Sequence, residues 1–207
     1  MKKIDYSLYL CTDRSLMSCD TIEECVELAL KGGVTVVQLR EKGVSSRQFY
    51  DLGVKIREIT NKYNRPLIIN DRVDIALAVG ADGVHIGQSD LDCSIVRKIA
   101  GPDFLIGVTA HNVDEAVKAA NGGADYLGVG AIRATSTKSD AKVISRDELI
   151  AIRKAVSLPI VRIGGMGKDN APQFKGMGID GIAVVSAIVA QPDIEKAARE
   201  LIDVWKK

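Results

Sequence analysis

Short runs of β-branched and apolar residues alternate along the chain with longer stretches in which apolar positions recur at helical spacing. The pattern predicts eight strands, at Leu8–Thr12, Val34–Arg40, Leu67–Asn70, Gly83–Gly87, Leu105–Thr109, Tyr126–Gly130, Ile160–Gly164 and Ile182–Ser186, with a helical pattern after every one. Several runs lack clean two-residue alternation, which fits a parallel sheet buried on both faces. A weak internal repeat supports this count. Gly33-Val34-Thr35, Gly80-Ala81-Asp82, Gly123-Ala124-Asp125 and Gly178-Ile179-Asp180 stand before strands two, four, six and eight. A glycine there ends the preceding helix in the left-handed conformation. Pro66 and Pro159 stand directly before strands three and seven and stop a helix by another route, a missing N–H and a fixed φ. Two strand–helix units per period, four times over, predict a single α/β (βα)8 TIM barrel. An open doubly wound sheet of eight units would be large for 207 residues.

Composition agrees with one domain over residues 1–207: 46% of residues are hydrophobic, 27% are charged, and no linker or low-complexity tract interrupts the series. The net charge of +1 provides no global field to recruit nucleic acid or a membrane surface, so any anion site must be local. Aromatic residues make up 4% of the chain, too few for a base-stacking groove. The N-terminus lacks a long uncharged segment, and the most apolar stretch, Gly181–Ala190, is about half the length of a membrane span. A cytoplasmic protein acting on small molecules is expected. Cys11, Cys19, Cys25 and Cys93 show no CxxC spacing and read as reduced thiols, with no histidine spaced for structural zinc.

In such a barrel, chemistry occurs at the carboxyl ends of the strands. Strand two ends Gln38-Leu39-Arg40-Glu41-Lys42, and the two-residue period puts Gln38, Arg40 and Lys42 on one face. An amide and two cations on one rim suit a phosphate or diphosphate; ordinary surface ion pairs are the competing account. Strand three ends Asn70-Asp71, and the loop after strand four carries Asp90. Two carboxylates on neighbouring strand ends suit Mg²⁺, which takes one or two protein carboxylates plus substrate phosphate oxygens, although either residue could instead cap a following helix. Strand five ends with Thr109 and then His111. A lone histidine there is more often structural, and His85 inside strand four is read the same way. The stretch Ala131–Ser145, the longest without a pattern after a strand, carries Thr135, Thr137 and Lys138 and suits a functional lid. Gly164-Gly165 and Val185-Ser186 end strands seven and eight, a recurrent phosphate position in these barrels, with the helix dipole after Ser186 adding to it. The rim therefore has two anion-binding regions on opposite arcs.

Leu8-Tyr9-Leu10-Cys11-Thr12-Asp13-Arg14, Gln38-Leu39-Arg40-Glu41-Lys42, Ile69-Asn70-Asp71-Arg72, Gly83-Val84-His85-Ile86-Gly87-Gln88-Ser89-Asp90, Thr135-Ser136-Thr137-Lys138 and Ile163-Gly164-Gly165, in this order and spacing, resemble the thiamine phosphate synthase family over nearly the whole chain. The resemblance implies a (βα)8 barrel that joins 4-amino-2-methyl-5-(diphosphooxymethyl)pyrimidine to a thiazole phosphate, or its carboxylated form. The products are thiamine phosphate and pyrophosphate, with carbon dioxide as well from the carboxylated thiazole, and Mg²⁺ is used. It implies that Gln38, Arg40, Lys42 and Asn70 bind the pyrimidine diphosphate and that Asp71 and Asp90 hold Mg²⁺. It places Thr109 beside the pyrimidine, Lys138 on the diphosphate, and Thr135, Thr137, Gly165, Val185 and Ser186 on the thiazole phosphate. The chain departs from the family at Ile132-Arg133-Ala134, where an aromatic residue and a proline are usual, and has Thr109 where serine is frequent. Two rivals remain: a thiazole tautomerase, with His111 as proton carrier, and a non-catalytic barrel that binds a phosphate ligand. The chain is free to form a homo-oligomer.

Overall fold

Each of the eight apolar runs forms a strand in the computed structural model, which describes residues 4–131 and 143–206: β1 Leu8–Cys11, β2 Val36–Leu39, β3 Leu67–Asn70, β4 Gly83–Ile86, β5 Leu105–Ala110, β6 Tyr126–Val129, β7 Ile160–Arg162 and β8 Gly181–Val184. All neighbours are parallel, and β1 pairs with β8 through Leu8↔Ile182, Tyr9↔Ala183 and Leu10↔Val184, so the sheet closes into a (βα)8 barrel. The helices are α1 Ile22–Lys31, α2 Ser46–Lys62, α3 Val73–Val79, α4 Cys93–Ala100, α5 Val113–Asn121, α6 Arg146–Ala155, α7 Ser186–Val189 and α8 Ile194–Lys206.

One expectation fails. The helix predicted after the seventh strand is a single 3-10 turn, Ala171–Phe174, and β8 is followed by two helices, the first of only four residues. The segment between β7 and β8 is broken by Pro172 and by five glycines between Gly164 and Gly178, four of them at positive φ, and cannot sustain a longer helix. None of the helices of the described residues is long and apolar enough to cross a membrane.

The strands alternate between two buried layers, which is why they carry no wet face. On β1, Leu8 and Leu10 pack outward in the layer under the helices, while Tyr9 and Cys11 point into the barrel with Val36, Ile68, Tyr126, Val161 and Ala183. Gly107 on β5 makes room inside: a Cβ there would lie 2.5 Å from His85 Nδ1 and closer still to the Tyr126 ring.

The repeat seen in the sequence has a structural function at the amino ends of the strands. Gly33, Gly80, Gly123 and Gly178 have φ of 107°, 67°, 91° and 74°, and each is followed two residues later by a side chain that clasps the preceding strand. Thr35 Oγ1 accepts from Leu8 N at 3.0 Å, Asp82 Oδ2 from Leu67 N at 2.8 Å, Asp125 Oδ2 from Ile106 N at 2.8 Å and Asp180 Oδ2 from Ile160 N at 2.9 Å. Arg57 and Arg97 pair with Asp82 and Asp125, and Arg153 approaches Asp180.

Arg162 on β7 is 1% exposed, in the outward layer otherwise filled by apolar side chains. It donates to Val129 O at 3.0 Å and Ile144 O at 3.2 Å and lies 5.5 Å from the centre of the Phe174 ring, while Nε has no partner among the described residues. Burial brings its pKa down to about 10. Together with the bond from Ile144 N to Ala131 O at 2.7 Å, it fixes both ends of the segment 132–142.

Candidate active site

A cavity of about 560 Å³ opens at the carboxyl ends of the strands. Its two arcs differ in chemistry because the strands that build them do. Gln38, Arg40, Asn70, His85 and Thr109, from β2 to β5 and their ends, make one arc polar. Gly128, Gly130, Val161, Ile163, Gly164, Gly165, Ala183, Val185 and Ser186, from β6 to β8, make the other small and largely apolar.

Arg40 follows the last residue of β2. Its backbone N–H donates to Thr12 Oγ1 at 2.9 Å and its Nη1 to Asp13 Oδ2 at 3.1 Å, so a carboxylate at the end of β1 aims the guanidinium over the cavity. Lys42 lies farther out on the rim, Nζ 2.6 Å from Asp71 Oδ2. Asp71 has φ of +62°, a conformation that costs most side chains about 1–2 kcal/mol and that Asp tolerates better than most. It is held there by its N–H to His85 O at 2.8 Å. Asp71 does not cap α3, whose first turn has no side-chain cap. Asp90 does not cap α4 either: it accepts from Gly87 N at 2.7 Å, and Asp92 is the cap. Burial raises the Asp90 pKa and the neighbouring Asp71 carboxylate adds to the rise, against the lowering bond from Gly87 N–H. Two carboxylates this close, one reluctant to ionise, are suited to a divalent cation, with Lys42 beside them. Among the described residues, no group of three His, Cys, Asp or Glu side chains is arranged for a metal, so further oxygens would have to come from a substrate or water.

The floor of the cavity is a chain of hydrogen bonds across five strands. Gln38 Nε2 donates to Tyr9 OH at 2.8 Å, Tyr9 OH lies 2.8 Å from Tyr126 OH, Tyr126 OH 3.2 Å from His85 Nδ1, and His85 Nε2 3.0 Å from Thr109 Oγ1. Burial raises the pKa of both phenols far above the ordinary value, so they stay protonated. Burial also raises the Cys11 thiol to about 12, which leaves it inert as a nucleophile. His111 lines the cavity too, its Nδ1 2.8 Å from Glu115 Oε2.

Residues 8–188 match the family model described as thiamine monophosphate synthase. The chain belongs to the thiamine monophosphate synthase family. It is 58% identical over 203 residues to the thiamine-phosphate synthase of Ruminiclostridium cellulolyticum, covering 98% of this chain and 97% of that one. Over 199 residues it is 60% identical to the thiamine-phosphate synthase of Clostridium beijerinckii, covering 96% and 95%. The solved thiamine phosphate pyrophosphorylase of Pyrococcus furiosus superposes with a TM-score of 0.90 at 40% identity, covering 98% of this chain and 96% of that one.

Of the residues expected to form the site of a thiamine monophosphate synthase, Gln38, Arg40, Asn70, Thr109, Gly165, Val185 and Ser186 line the one cavity. Lys42, Asp71 and Asp90 cluster at its rim. Thr135, Thr137 and Lys138, and the departure at Ile132-Arg133-Ala134, lie outside the described residues. The helix after Ser186 is only four residues long and offers little dipole. Two groups were missed. Asp13 stands two residues past the end of β1, a strand-end position like those of the other rim residues. Tyr9, His85 and Tyr126 lie inside strands, where a polar side chain reads as core; only the strand parity, which turns all three into the barrel, distinguishes them.

Proposed function

We propose that the chain is a transferase of thiamine biosynthesis. It would couple 4-amino-2-methyl-5-(diphosphooxymethyl)pyrimidine with thiazole phosphate to give thiamine phosphate and pyrophosphate, or with the carboxylated thiazole phosphate to give the same products and carbon dioxide. The observation that carries the reading is the juxtaposition of a carboxylate-aimed Arg40 with the Lys42–Asp71–Asp90 cluster at one side of a cavity whose other side is small and apolar. Asp71 and Asp90 would hold Mg²⁺ together with diphosphate oxygens; the ion supplies positive charge against the departing group.

The reaction needs no enzyme nucleophile. The electron-rich aminopyrimidine lets the bond from its methylene carbon to the diphosphate oxygen break, with the electron pair leaving on pyrophosphate. The thiazole nitrogen lone pair then forms the new C–N bond. Arg40, Lys42 and, from the segment 132–142, Lys138 stabilise the charge that develops on the leaving group. Gln38, Asn70 and Thr109 orient the pyrimidine; Thr135, Thr137, Gly165, Val185 and Ser186 receive the thiazole phosphate, so that the two partners meet in line. The low-polarity arc excludes water from the methylene cation. The chain works in this reading as one cytoplasmic unit on small molecules, alone or as a homo-oligomer, without nucleic acid or membrane.

Purified protein incubated with both substrates is expected to give thiamine phosphate by mass spectrometry with Mg²⁺ and none with excess chelator. Isomerised thiazole without coupling would transfer the assignment to a tautomerase working through His111 and Glu115. Unchanged substrates would leave a barrel that only binds phosphate ligands. Asp71→Asn is expected to raise the Mg²⁺ concentration for half-maximal rate at least tenfold; an unaltered metal titration would remove Asp71 from the ligand set.

A further inference from the structure

The hydrogen-bond chain across the cavity floor has a direction, and the direction has a consequence for substrate choice. Gln38 Nε2 is a donor only, so Tyr9 OH accepts from it at 2.8 Å and must turn its own proton to Tyr126 OH, also at 2.8 Å. Tyr126 OH in turn donates to His85 Nδ1 at 3.2 Å. A neutral imidazole with an accepting Nδ1 carries its proton on Nε2, which donates to Thr109 Oγ1 at 3.0 Å. The intrinsic chemistry of the groups favours the same order. A phenol is a better donor and a poorer acceptor than an aliphatic alcohol, so imidazole accepts from Tyr126 and donates to Thr109. Both phenols are fully buried and neutral, and His85 is locked between them and β5, with Gly107 leaving the space for the ring.

We propose that Tyr9, Tyr126 and His85 are positioning residues that fix the polarity of the two cavity-lining ends of this chain, an accepting amide oxygen at Gln38 and a donating hydroxyl at Thr109, and so select a 4-aminopyrimidine over its 4-oxo counterpart. An aminopyrimidine offers a matching donor, its exocyclic amine, and a matching acceptor, its ring nitrogen. The 4-oxo form, with a carbonyl and a ring N–H, reverses both. A chain running the other way would present the amide NH₂ and an accepting hydroxyl and would take the oxo compound. Sites built on hydrogen bonds reject a mismatched analogue strongly because buried polar groups are then left without partners. This inference rests on the pyrimidine substrate proposed above.

Two measurements test it. The protein has two histidines, so nitrogen-15 NMR of the histidine-labelled chain, assigned with His111→Asn, reads the His85 tautomer directly. The Nε2–H form is expected; an Nδ1–H or doubly protonated His85 would overturn the proposal, whether or not the protein couples its substrates. The second measurement compares kcat/KM for the 4-amino and 4-oxo pyrimidine diphosphates. In Tyr126→Phe, Tyr9 loses its acceptor and turns its proton back on Gln38, flipping the amide. The amino-to-oxo preference is expected to fall at least tenfold, with Tyr9→Phe as the alternative variant if Tyr126→Phe does not fold. A purely structural role would lower both substrates equally, and a preference unchanged within twofold in either folded variant would overturn the assignment. A wild type that couples neither compound would instead sink the proposed function, with the tautomer still deciding the polarity.

Discussion

Arg40→Met is expected to lower kcat by roughly 100- to 1,000-fold, the loss typical when one preorganised donor to a developing anion is removed. The expectation follows from how the guanidinium is held. Thr12 fixes the Arg40 backbone and Asp13 one of its nitrogens, so the charge is in place before the diphosphate departs and no reorganisation is needed as it forms. Methionine keeps most of the stem and deletes the charge. Asp13 Oδ1 keeps its bonds from Ser15 N and Ser15 Oγ at 3.0 and 2.6 Å, while Oδ2 loses the guanidinium that it faced. The midpoint of thermal unfolding should therefore fall by about 2–8 °C, the equivalent of roughly 1–2 kcal/mol in a chain of this size. Steady-state kinetics beside a melting curve separate the two effects; a fall in Tm matching the fall in rate would place Arg40 in the scaffold.

Asp125→Ala should do the reverse, costing about 2–4 kcal/mol of stability, or a Tm fall of about 5–15 °C. Asp125 Oδ2 accepts from Ile106 N at 2.8 Å and from Arg97 Nη2 at 2.6 Å, and both partners lie at the amino end of the barrel, away from the cavity. Removing the carboxylate strands a buried N–H and a cation that is 21% exposed; that residual exposure is why the figure stays below the cost of breaking a fully buried pair. Arg97 keeps its bonds to the carbonyls of Gly101, Phe104 and Gly123, which limits the damage further. The kcat of the fraction that remains folded should be unaltered. Denaturant titration with activity read at low denaturant checks both parts, and a large fall in kcat at full folding would mean that the amino rim reaches the chemistry.

The strands were legible because six of the eight apolar runs follow residues with a physical reason to end a helix: glycines that adopt positive φ before β2, β4, β6 and β8, and prolines before β3 and β7. The helix expected after β7 fails because the glycines and Pro172 of that segment reduce it to one 3-10 turn. Most of the polar half of the cavity was legible from strand ends, since Gln38, Arg40, Asn70 and Thr109 follow from position, whereas His85 lies inside β4 and was not. Asp71 and Asp90 were ambiguous between capping and cation binding until the geometry removed both caps. Arg162 was illegible in principle: a charged residue near the end of a strand reads as a rim residue, and only the backbone carbonyls it meets reveal a buried role.

That buried arginine also joins two parts of the chain that are distant in sequence. Its guanidinium donates to the carbonyls of Val129, at the end of β6, and Ile144, just before α6, and Ile144 N–H in turn bonds to Ala131 O. Both carbonyls would lose that donor together if the guanidinium were removed, so β6 and the approach to α6 are coupled through a single side chain of β7.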